Sequence, residues 1–161
     1  MNPMLKRLGI PVVGGVMAIG VATVGHFEGK SNEAYRDPVD IPTICYGYTH
    51  DVQMGQTKSD AECRKLLKGE LGNALAVVDA SVDRDMPDTR RAALASFVYN
   101  VGSGAYQGST LLRKLKAGDV RGACNELSRW IHADGKRLEG LVKRRSVERT
   151  LCLMGTQEGG Q

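Results

Sequence analysis

Apolar residues recur every three or four positions through most of the chain, which is the spacing of one face of an α-helix. Ser59-Asp-Ala-Glu62 is a capping box that opens one such stretch. The apolar residues that follow it are Leu66, Leu67, Leu71, Leu75 and Val78. Further helices are predicted from Pro87 to Gly102 with Ala93, Leu94, Phe97 and Val101 facing inward, from Ser109 to Gly118, from Asp119 to Trp130 and from Gly140 to Met154.

The pattern changes between Ala34 and Thr57, where Tyr, Ile and Thr alternate with Asp, Pro and Gly. β-Branched and aromatic residues favour strands and the residues between them favour turns, so this stretch predicts a small β-hairpin. The predicted fold class is therefore α+β and mostly helical, with a hairpin lobe packed against a helical body. The 161 residues suit one domain, which we assign to residues 28–155, followed by a flexible Gly-rich tail at 156–161.

Three polar side chains around the predicted hairpin form a candidate catalytic set. Glu28, Asp37 and Thr43 have the spacing Glu-x8-Asp-x5-Thr. Cleavage of a glycosidic bond needs a proton donor for the leaving oxygen and a second carboxylate on the opposite face of the sugar. Glu28 follows an apolar stretch, where desolvation favours the protonated form of a general acid. We expect Asp37 to face it across a cleft and the Thr43 hydroxyl to hold the attacking water.

An uncharged stretch of 20 residues, from Leu8 to Phe27, follows the basic pair Lys6 and Arg7 when His26 is taken as neutral. A helix of this length rises about 30 Å, enough to cross the hydrocarbon core of a bilayer. Five glycines and one proline dilute its nine Leu, Ile, Val and Phe residues. We therefore predict that residues 1–27 are an N-terminal segment that inserts marginally and reversibly into a membrane.

Two other interpretations of this segment remain open. It is also typical of a signal peptide with a cleavage site after Ala22. Cleavage there would leave Glu28 six residues from a frayed end, and a catalytic acid needs a fixed position, so retention is favoured. The segment also suits a buried first helix of a soluble domain, because small residues line one helical face at Gly14, Ala18 and Ala22.

The four cysteines fall into two groups far apart in sequence, Cys45 and Cys63, then Cys124 and Cys152. No C-x-x-C pair occurs, so neither a zinc ribbon nor a thioredoxin-type site is predicted. Two disulfides in an exported protein are favoured, and among three possible pairings we expect Cys45–Cys63 and Cys124–Cys152. The alternatives are four reduced core thiols in a cytosolic protein and a mixed metal site of Cys45, His50 and Cys63, which lacks a fourth ligand.

The net charge of +4 comes from 22 Lys and Arg against 18 Asp and Glu. A modest positive excess suits an acidic partner such as a bacterial wall or a lipid headgroup surface. Nucleic-acid binding is not predicted, because the excess is small and no aromatic platform accompanies the basic residues. We interpret Lys143, Arg144 and Arg145 as a solvated helix face, Trp130 as core or cleft wall, and His132 as a surface residue.

An ordered run of motifs resembles the T4-lysozyme-type phage endolysins of glycoside hydrolase family 24. It begins with His26-Phe-Glu-Gly29, Ala34-Tyr-Arg-Asp37 and Thr43-Ile-Cys-Tyr-Gly47. It continues with Tyr99-Asn-Val-Gly102, Ser109-Thr-Leu-Leu-Arg-Lys-Leu115, Ser128-Arg-Trp130 and Gly140-Leu-Val-Lys-Arg-Arg145. The N-terminal segment is similar to the signal-arrest-release anchors of some lambdoid members. Many relatives have Cys-Tyr-Gly-His-Thr, whereas this chain has Tyr48 in place of that His and a His50 two residues later.

The resemblance implies a lysozyme-like fold and hydrolysis of the β-1,4 bond between N-acetylmuramic acid and N-acetylglucosamine in peptidoglycan. It implies inversion with Asp37 as general base, glycan contacts from Asn100, Tyr46 and Gly47, no cofactor or metal, and a monomer. It also implies a phage enzyme that is exported to the host periplasm and is tethered at first to the inner membrane by residues 8–27.

Two other functions remain open from the sequence. A lytic transglycosylase would use Glu28 alone and release 1,6-anhydro products. A non-enzymatic, disulfide-bonded and membrane-anchored wall-binding protein would make the complete set of Glu28, Asp37 and Thr43 a coincidence. Loss of turbidity in Gram-negative cells stripped of their outer membrane separates an enzyme from a binder.

Overall fold

The structure is a computed structural model that describes residues 2–155, and within that range the chain is mostly helical, as predicted. The helices are α1 (Pro3–Arg7), α2 (Val16–Glu28), α3 (Asp60–Ser81), α4 (Asp88–Val101), α5 (Ser103–Gln107), α6 (Thr110–Lys116), α7 (Val120–Glu126) and α8 (Glu139–Leu153), with a 3₁₀ turn at Leu127–Arg129. The strands are β1 (Ser31–Arg36), β2 (Pro42–Cys45), β3 (His132–Ala133) and β4 (Lys136–Arg137). The predicted tail at 156–161 lies outside the described residues.

Helix α4 lies at the centre of the body, in contact with α2, α3 and α8. Nine of its 14 residues are buried, including a continuous stretch that covers all sides of the helix. It begins after Pro87 and ends at Gly102, which has a φ of 89°, and both limits were predicted. Ala93, Leu94 and Phe97 face the core as predicted, each with 0% exposure.

Side-chain caps begin three helices where the sequence predicted them. In the capping box of α3, Ser59 Oγ accepts a hydrogen bond from Glu62 N at 3.2 Å, and Glu62 Oε2 accepts one from Ser59 N at 2.7 Å. Ser109 and Asp119 accept equivalent hydrogen bonds from the first turns of α6 and α7, at 3.1 and 2.9 Å. These bonds satisfy amide groups that have no partner inside the helix.

The hairpin lobe consists of antiparallel β1 and β2, in which Tyr35 pairs with Thr43. The strands are shorter than the predicted region, because the chain after Cys45 forms turns in which Gly47 has a φ of 78°. The disulfide between Cys45 and Cys63 attaches the lobe to α3. The second disulfide, Cys124–Cys152, joins α7 to α8, so both predicted pairings are confirmed.

The region between α7 and α8 differs from its prediction. The helix expected to reach Trp130 ends at Glu126 and is followed by the 3₁₀ turn. A second hairpin, β3–β4, was not predicted, and neither was the short helix α5. Asp134-Gly135 was the available signal for the hairpin, because both residues adopt the positive φ (51° and 73°) that a two-residue turn requires.

The N-terminal segment is not the single helix of 20 residues that its sequence permits. Helix α1 ends at Arg7 and α2 begins only at Val16. Between them Gly9, Gly14 and Gly15 have φ values of 67°, 96° and 91°, which interrupt an α-helix. No helix within residues 2–155 is both long enough and apolar enough to cross a membrane.

Apolar side chains of this segment enter the core instead, and four are at most 1% exposed, namely Leu5, Ile10, Ile19 and Val24. Helix α2 packs against α3 and α4. The two helices α2 and α3 pack tightly at Gly20, where an added Cβ would lie 2.8 Å from Leu71 Cδ2. The prediction that Gly14, Ala18 and Ala22 line a contact with another helix is wrong, since Ala18 is exposed. This packing directs the end of α2 towards the hairpin lobe.

Candidate active site

Glu28 is the last residue of α2, at the junction between the helical body and the hairpin lobe. Gly29, with a φ of 64°, ends the helix and leads the chain into β1. The Glu28 side chain is 20% exposed, and its Oε1 accepts a hydrogen bond from Arg144 Nη1 at 2.6 Å. A Cβ built on Gly47 would lie 3.2 Å from Glu28 Oε2. Glycine at this position therefore leaves the second carboxylate oxygen accessible.

The surroundings of Glu28 are charged, whereas the sequence predicted an apolar, desolvated site. Its partner Arg144 has a buried guanidinium, with a side-chain exposure of 4%. The same guanidinium lies over the Phe27 ring, 5.9 Å from the ring centroid. The position of Glu28 is thus held by a charge-assisted hydrogen bond. The structure thus places a buried cation beside the carboxylate, which the apolar stretch before Glu28 did not predict.

Asp37 and Thr43 lie in the hairpin lobe and are joined through the backbone of Ile41. Asp37 Oδ1 accepts hydrogen bonds from Val39 N and Ile41 N, both at 2.9 Å. Thr43 Oγ1 donates to Ile41 O at 2.9 Å, and Thr43 is 3% exposed. Asp37 Oδ2 accepts no hydrogen bond from any residue between 2 and 155. A hydroxyl that donates its proton still has lone pairs, so both side chains can accept a hydrogen bond from water.

The structure brings Asp37 and Thr43 together, but no hydrogen bond or ion pair within the described chain joins either of them to Glu28. The two carboxylates belong to different elements, the end of α2 and the turn after β1. In inverting glycosidases the carboxyl groups are about 6.5–9.5 Å apart, which leaves room for a water molecule beside the sugar. Carboxylates that do not contact each other can supply an acid and a base from two sides of a bound sugar.

Tyr46 and Gly47 follow β2 and lie at the same junction. Tyr46 O accepts a hydrogen bond from Tyr99 OH at 2.6 Å, which ties the loop after β2 to α4. Burial raises the pKa of Tyr99, and the negative charge of Glu28 raises it further. The Tyr99 hydroxyl therefore stays protonated and keeps donating to this loop at neutral pH.

Arg144 and Arg145 are buried, which corrects the prediction of a solvated helix face. Of the basic triplet Lys143 alone is exposed, while the arginines are 3% and 2% exposed. Glu148, with 0% exposure, accepts hydrogen bonds from Arg144 Nε at 3.1 Å and Arg145 Nη1 at 2.7 Å. Glu148 follows Arg145 by three residues and Arg144 by four, and this spacing on one helix was the sequence signal for the cluster.

Asn100 is exposed at the end of α4. Its Oδ1 accepts a hydrogen bond from Arg145 Nη2. Its amide nitrogen donates to no partner within residues 2–155, so it can donate to a ligand. Trp130 is partly buried and packs edge-to-face on Phe97 with ring centroids 5.2 Å apart, as expected for a core wall. His132 is exposed, as predicted.

A pocket of about 350 Å³ adjoins this junction and is lined by the loop after β2, by α3 and by α4. Its walls include Tyr48 and His50, whose ring centroids are 5.3 Å apart. His50 Nε2 lies 3.6 Å from Glu70 Oε2 on the opposite wall. A concave surface with polar side chains on both walls suits sugar hydroxyls. The mixed metal site is excluded, because Cys45 and Cys63 form a disulfide.

The fold combines a helical body with a hairpin lobe. A glutamate lies at their junction and an Asp–Thr pair lies in the lobe, and this arrangement is that of a lysozyme-type glycoside hydrolase. The sequence model of the family described as Phage lysozyme matches residues 25–148. The SAR-endolysin of Bacteriophage PS119 is 41% identical over 165 residues, covering 98% of this chain and 99% of that protein. The chain therefore belongs to the phage lysozyme family. The predicted family, fold class and enzyme class are confirmed.

Solved structures agree with this assignment. The endolysin of Escherichia coli phage FAHEc1 superposes with a TM-score of 0.75 and 29% identity, over 84% of this chain and 90% of that one. The active form of the P1 phage endolysin Lyz has a TM-score of 0.76, over 95% of this chain and 93% of its own. At 24% identity this second likeness concerns the fold alone.

Proposed function

We propose that this endolysin hydrolyses the β-1,4 bond between N-acetylmuramic acid and N-acetylglucosamine in the peptidoglycan of a bacterial host. Glu28 acts as general acid, Asp37 as general base, and Thr43 holds the attacking water. The observation that carries these roles is the shared bonding to Ile41, which orients the Asp37 carboxylate and the Thr43 hydroxyl together. Each of them keeps the capacity to accept a hydrogen bond from the same water.

In this mechanism protonated Glu28 transfers its proton to the leaving glycosidic oxygen while Arg144 holds the other carboxyl oxygen. Asp37 Oδ2 takes a proton from water, and that water forms the new bond to the anomeric carbon as the glycosidic bond breaks. Attack from the face opposite the leaving group inverts the configuration. Solvent then returns a proton to Glu28 and removes one from Asp37. The Asn100 amide and the loop of Tyr46 and Gly47 contact the glycan.

Three substitutions of similar shape test the roles. Glu28→Gln keeps the acceptor for Arg144 but has no transferable proton, so turnover should fall about 10²–10⁴-fold or more with the melting curve retained. Asp37→Asn should be similarly impaired if water is the nucleophile, and Thr43→Val should lower turnover without altering the hairpin.

Mass spectrometry of the released muropeptides distinguishes the alternatives to this mechanism. Hydrolysis predicts reducing N-acetylmuramic acid ends, and the wild-type product should carry them. An active Asp37→Asn variant that releases 1,6-anhydro products would identify a lytic transglycosylase. Wall binding without any released product from the wild type would identify a binding protein.

We also propose that residues 8–27 first insert into the host inner membrane, so that the protein reaches the periplasm tethered and acts there as a monomer after release. The similarity to SAR-endolysins over nearly the whole chain supports this. In the docked arrangement Ile19 and Val24 share one core with α3 and α4. A segment spanning a bilayer cannot make these contacts and keeps Glu28 away from Arg144, so the tethered enzyme should be inactive.

The tether is best tested at positions that the docked structure leaves exposed. Ala18 and His26 are exposed, so leucine at both favours insertion by on the order of 1 kcal/mol or more without altering the core. The variant should stay with the membrane fraction and lyse cells late after an uncoupler removes the membrane potential. A control with Ala18→Ser and His26→Gln should be released at least as fast as the wild type. Equal fractionation and lysis in all three proteins would contradict the tether.

A further inference from the structure

A buried cluster around Glu148 lies between α4 and α8, behind the proposed site. Both carboxylate oxygens of Glu148 are occupied. Oε1 accepts hydrogen bonds from Ser96 Oγ at 2.7 Å and Arg144 Nε at 3.1 Å, and Oε2 accepts one from Arg145 Nη1 at 2.7 Å. All four residues are at most 3% exposed. They form one hydrogen-bonded unit that is shielded from solvent.

Arg144 uses its three donor nitrogens on acceptors that belong to three different residues. Nε donates to Glu148, Nη2 donates to Ser96 O at 3.1 Å, and Nη1 donates to Glu28 at 2.6 Å. Two of these acceptors are buried within the body, and the third is the proposed catalytic acid. The buried acceptors therefore set the plane of the guanidinium that contacts the acid.

Arg145 repeats this arrangement towards the other cleft residue. Nη1 donates to Glu148, Nε donates to Trp130 O at 2.9 Å, and Nη2 donates to Asn100 Oδ1. Each arginine is thus anchored by Glu148 and by one backbone carbonyl, and each presents its remaining donor to the cleft. The two arginines therefore share the single carboxylate of Glu148.

We propose that Glu148 is a positioning residue that orients Arg144 against Glu28 and Arg145 against Asn100. The proposal rests on the proposed function, in which Glu28 donates the proton and Asn100 contacts the glycan. A guanidinium is planar, so two anchors fix its plane and the direction of its third donor. Without Glu148 the plane of each guanidinium is no longer fixed, so the group that it contacts can shift. A displacement of about 1 Å at a reacting group can lower a rate about 10²-fold.

The balance of charge in the cluster leads to the same conclusion. Arg144 and Arg145 are two buried cations, and Glu148 and Glu28 are the two carboxylates that neutralise them. Arg145 already interacts electrostatically with Glu28. Without the charge of Glu148, both arginines would be drawn to Glu28, and Arg145 would no longer be held at Asn100.

The first test compares Arg144→Lys with Arg145→Lys, because both variants keep the charge on α8 but lose the planar fork. The assay measures kcat and KM on soluble peptidoglycan fragments of defined length. Arg144→Lys should lower kcat about tenfold or more with KM changed less than about twofold, and Arg145→Lys should raise KM about fivefold with kcat nearly unchanged. A cluster with a merely structural role would change both parameters alike in both variants, and that result would overturn the proposal.

The second test is Glu148→Gln, with Glu126→Gln as the matched control. Glu126 is also buried, at 6% exposure, and pairs with Lys114 at 2.6 Å, but it contacts neither Glu28 nor Asn100. Glu148→Gln should lower kcat about tenfold or more and also raise KM, while Glu126→Gln should change neither more than about twofold. Melting curves of both variants separate loss of stability from loss of positioning.

Each remaining outcome has one meaning. Glu148→Gln kinetics that match Glu126→Gln would overturn the positioning role. If Glu148→Gln does not fold, the split between kcat and KM in the two arginine variants decides the question. Full activity in Glu28→Gln would refute the proposed function itself, because no acid would then remain to be positioned.

Discussion

Gly20 and Gly25 offer a matched test of how α2 docks on the body. Both lie inside α2, and neither has a positive φ. A Cβ on Gly20 would lie 2.8 Å from Leu71 Cδ2, and Leu71 is 1% exposed, so a packed side chain must move. A Cβ on Gly25 would have its nearest neighbours at 3.9 Å, which is ordinary contact. The same Gly→Ala change should therefore have different effects in one helix.

The magnitudes follow from two opposing contributions. Alanine is more favourable than glycine inside a helix by about 0.5–1 kcal/mol, so Gly25→Ala should stabilise the protein by that amount. At Gly20 the added methyl group also costs about 1–3 kcal/mol of overpacking. Because the helix contribution is common to both, the variants should differ by about 1–3 kcal/mol, or roughly 2–12 °C in melting temperature.

Urea denaturation of both variants measures this difference directly. Each substitution adds one methyl group to the segment that is proposed to enter the membrane, so only the docked state distinguishes them. Gly20→Ala should therefore also delay lysis after an uncoupler, relative to Gly25→Ala. The reasoning is refuted if Gly25→Ala is less stable than the wild type, or if both variants unfold at the same urea concentration.

Three further predictions concern stability. Replacing Cys45 and Cys63 by Ser should lower the unfolding free energy by about 3 kcal/mol in urea titrations, because this disulfide spans 18 positions; an unchanged midpoint would contradict it. Burial is the main cause that raises the pKa of Tyr99. The stability that this raised pKa contributes is present below about pH 10 and should fall as the pH rises above it. Thermal melts of Tyr99→Phe should show a less steep fall in stability over the same pH range. A hydrogen bond from Lys114 is the main cause that lowers the pKa of Glu126, so stability present above about pH 4 should be lost as the pH falls below it. Acid melts of Glu126→Gln should lack this part of the loss.

The capped starts of α3 and α6 could be predicted from the sequence because their signals are local. Ser59 and Ser109 cap amides within three residues of themselves, and such a hydrogen bond forms without help from the rest of the fold. The ordered motifs around Glu28, Asp37 and Thr43 were likewise sufficient for the family and for a candidate site. The contact that Asp37 and Thr43 share at Ile41 was not predictable, because it depends on the conformation of the hairpin turn.

The burial of Arg144 and Arg145 was decided by the tertiary structure. A basic triplet on a helix is expected to be solvated, because a buried arginine without a partner is costly. The partners here are Glu148 on the same helix and Glu28, which lies 116 positions away in the chain. Local sequence does not report a partner at that separation.

The N-terminal segment shows the same division between sequence and structure. Its composition determined that the apolar side chains within about 20 uncharged residues favour apolar neighbours over water. In the docked state α3 and α4 pack against the part of this segment that forms α2, and Gly14 and Gly15 lie in the turn that leads into this helix. Lipid or protein can satisfy the same apolar side chains, because the hydrophobic effect has no direction and does not specify the neighbour. That choice depends on the surfaces brought next to the segment, and these exist only once the rest of the chain has folded.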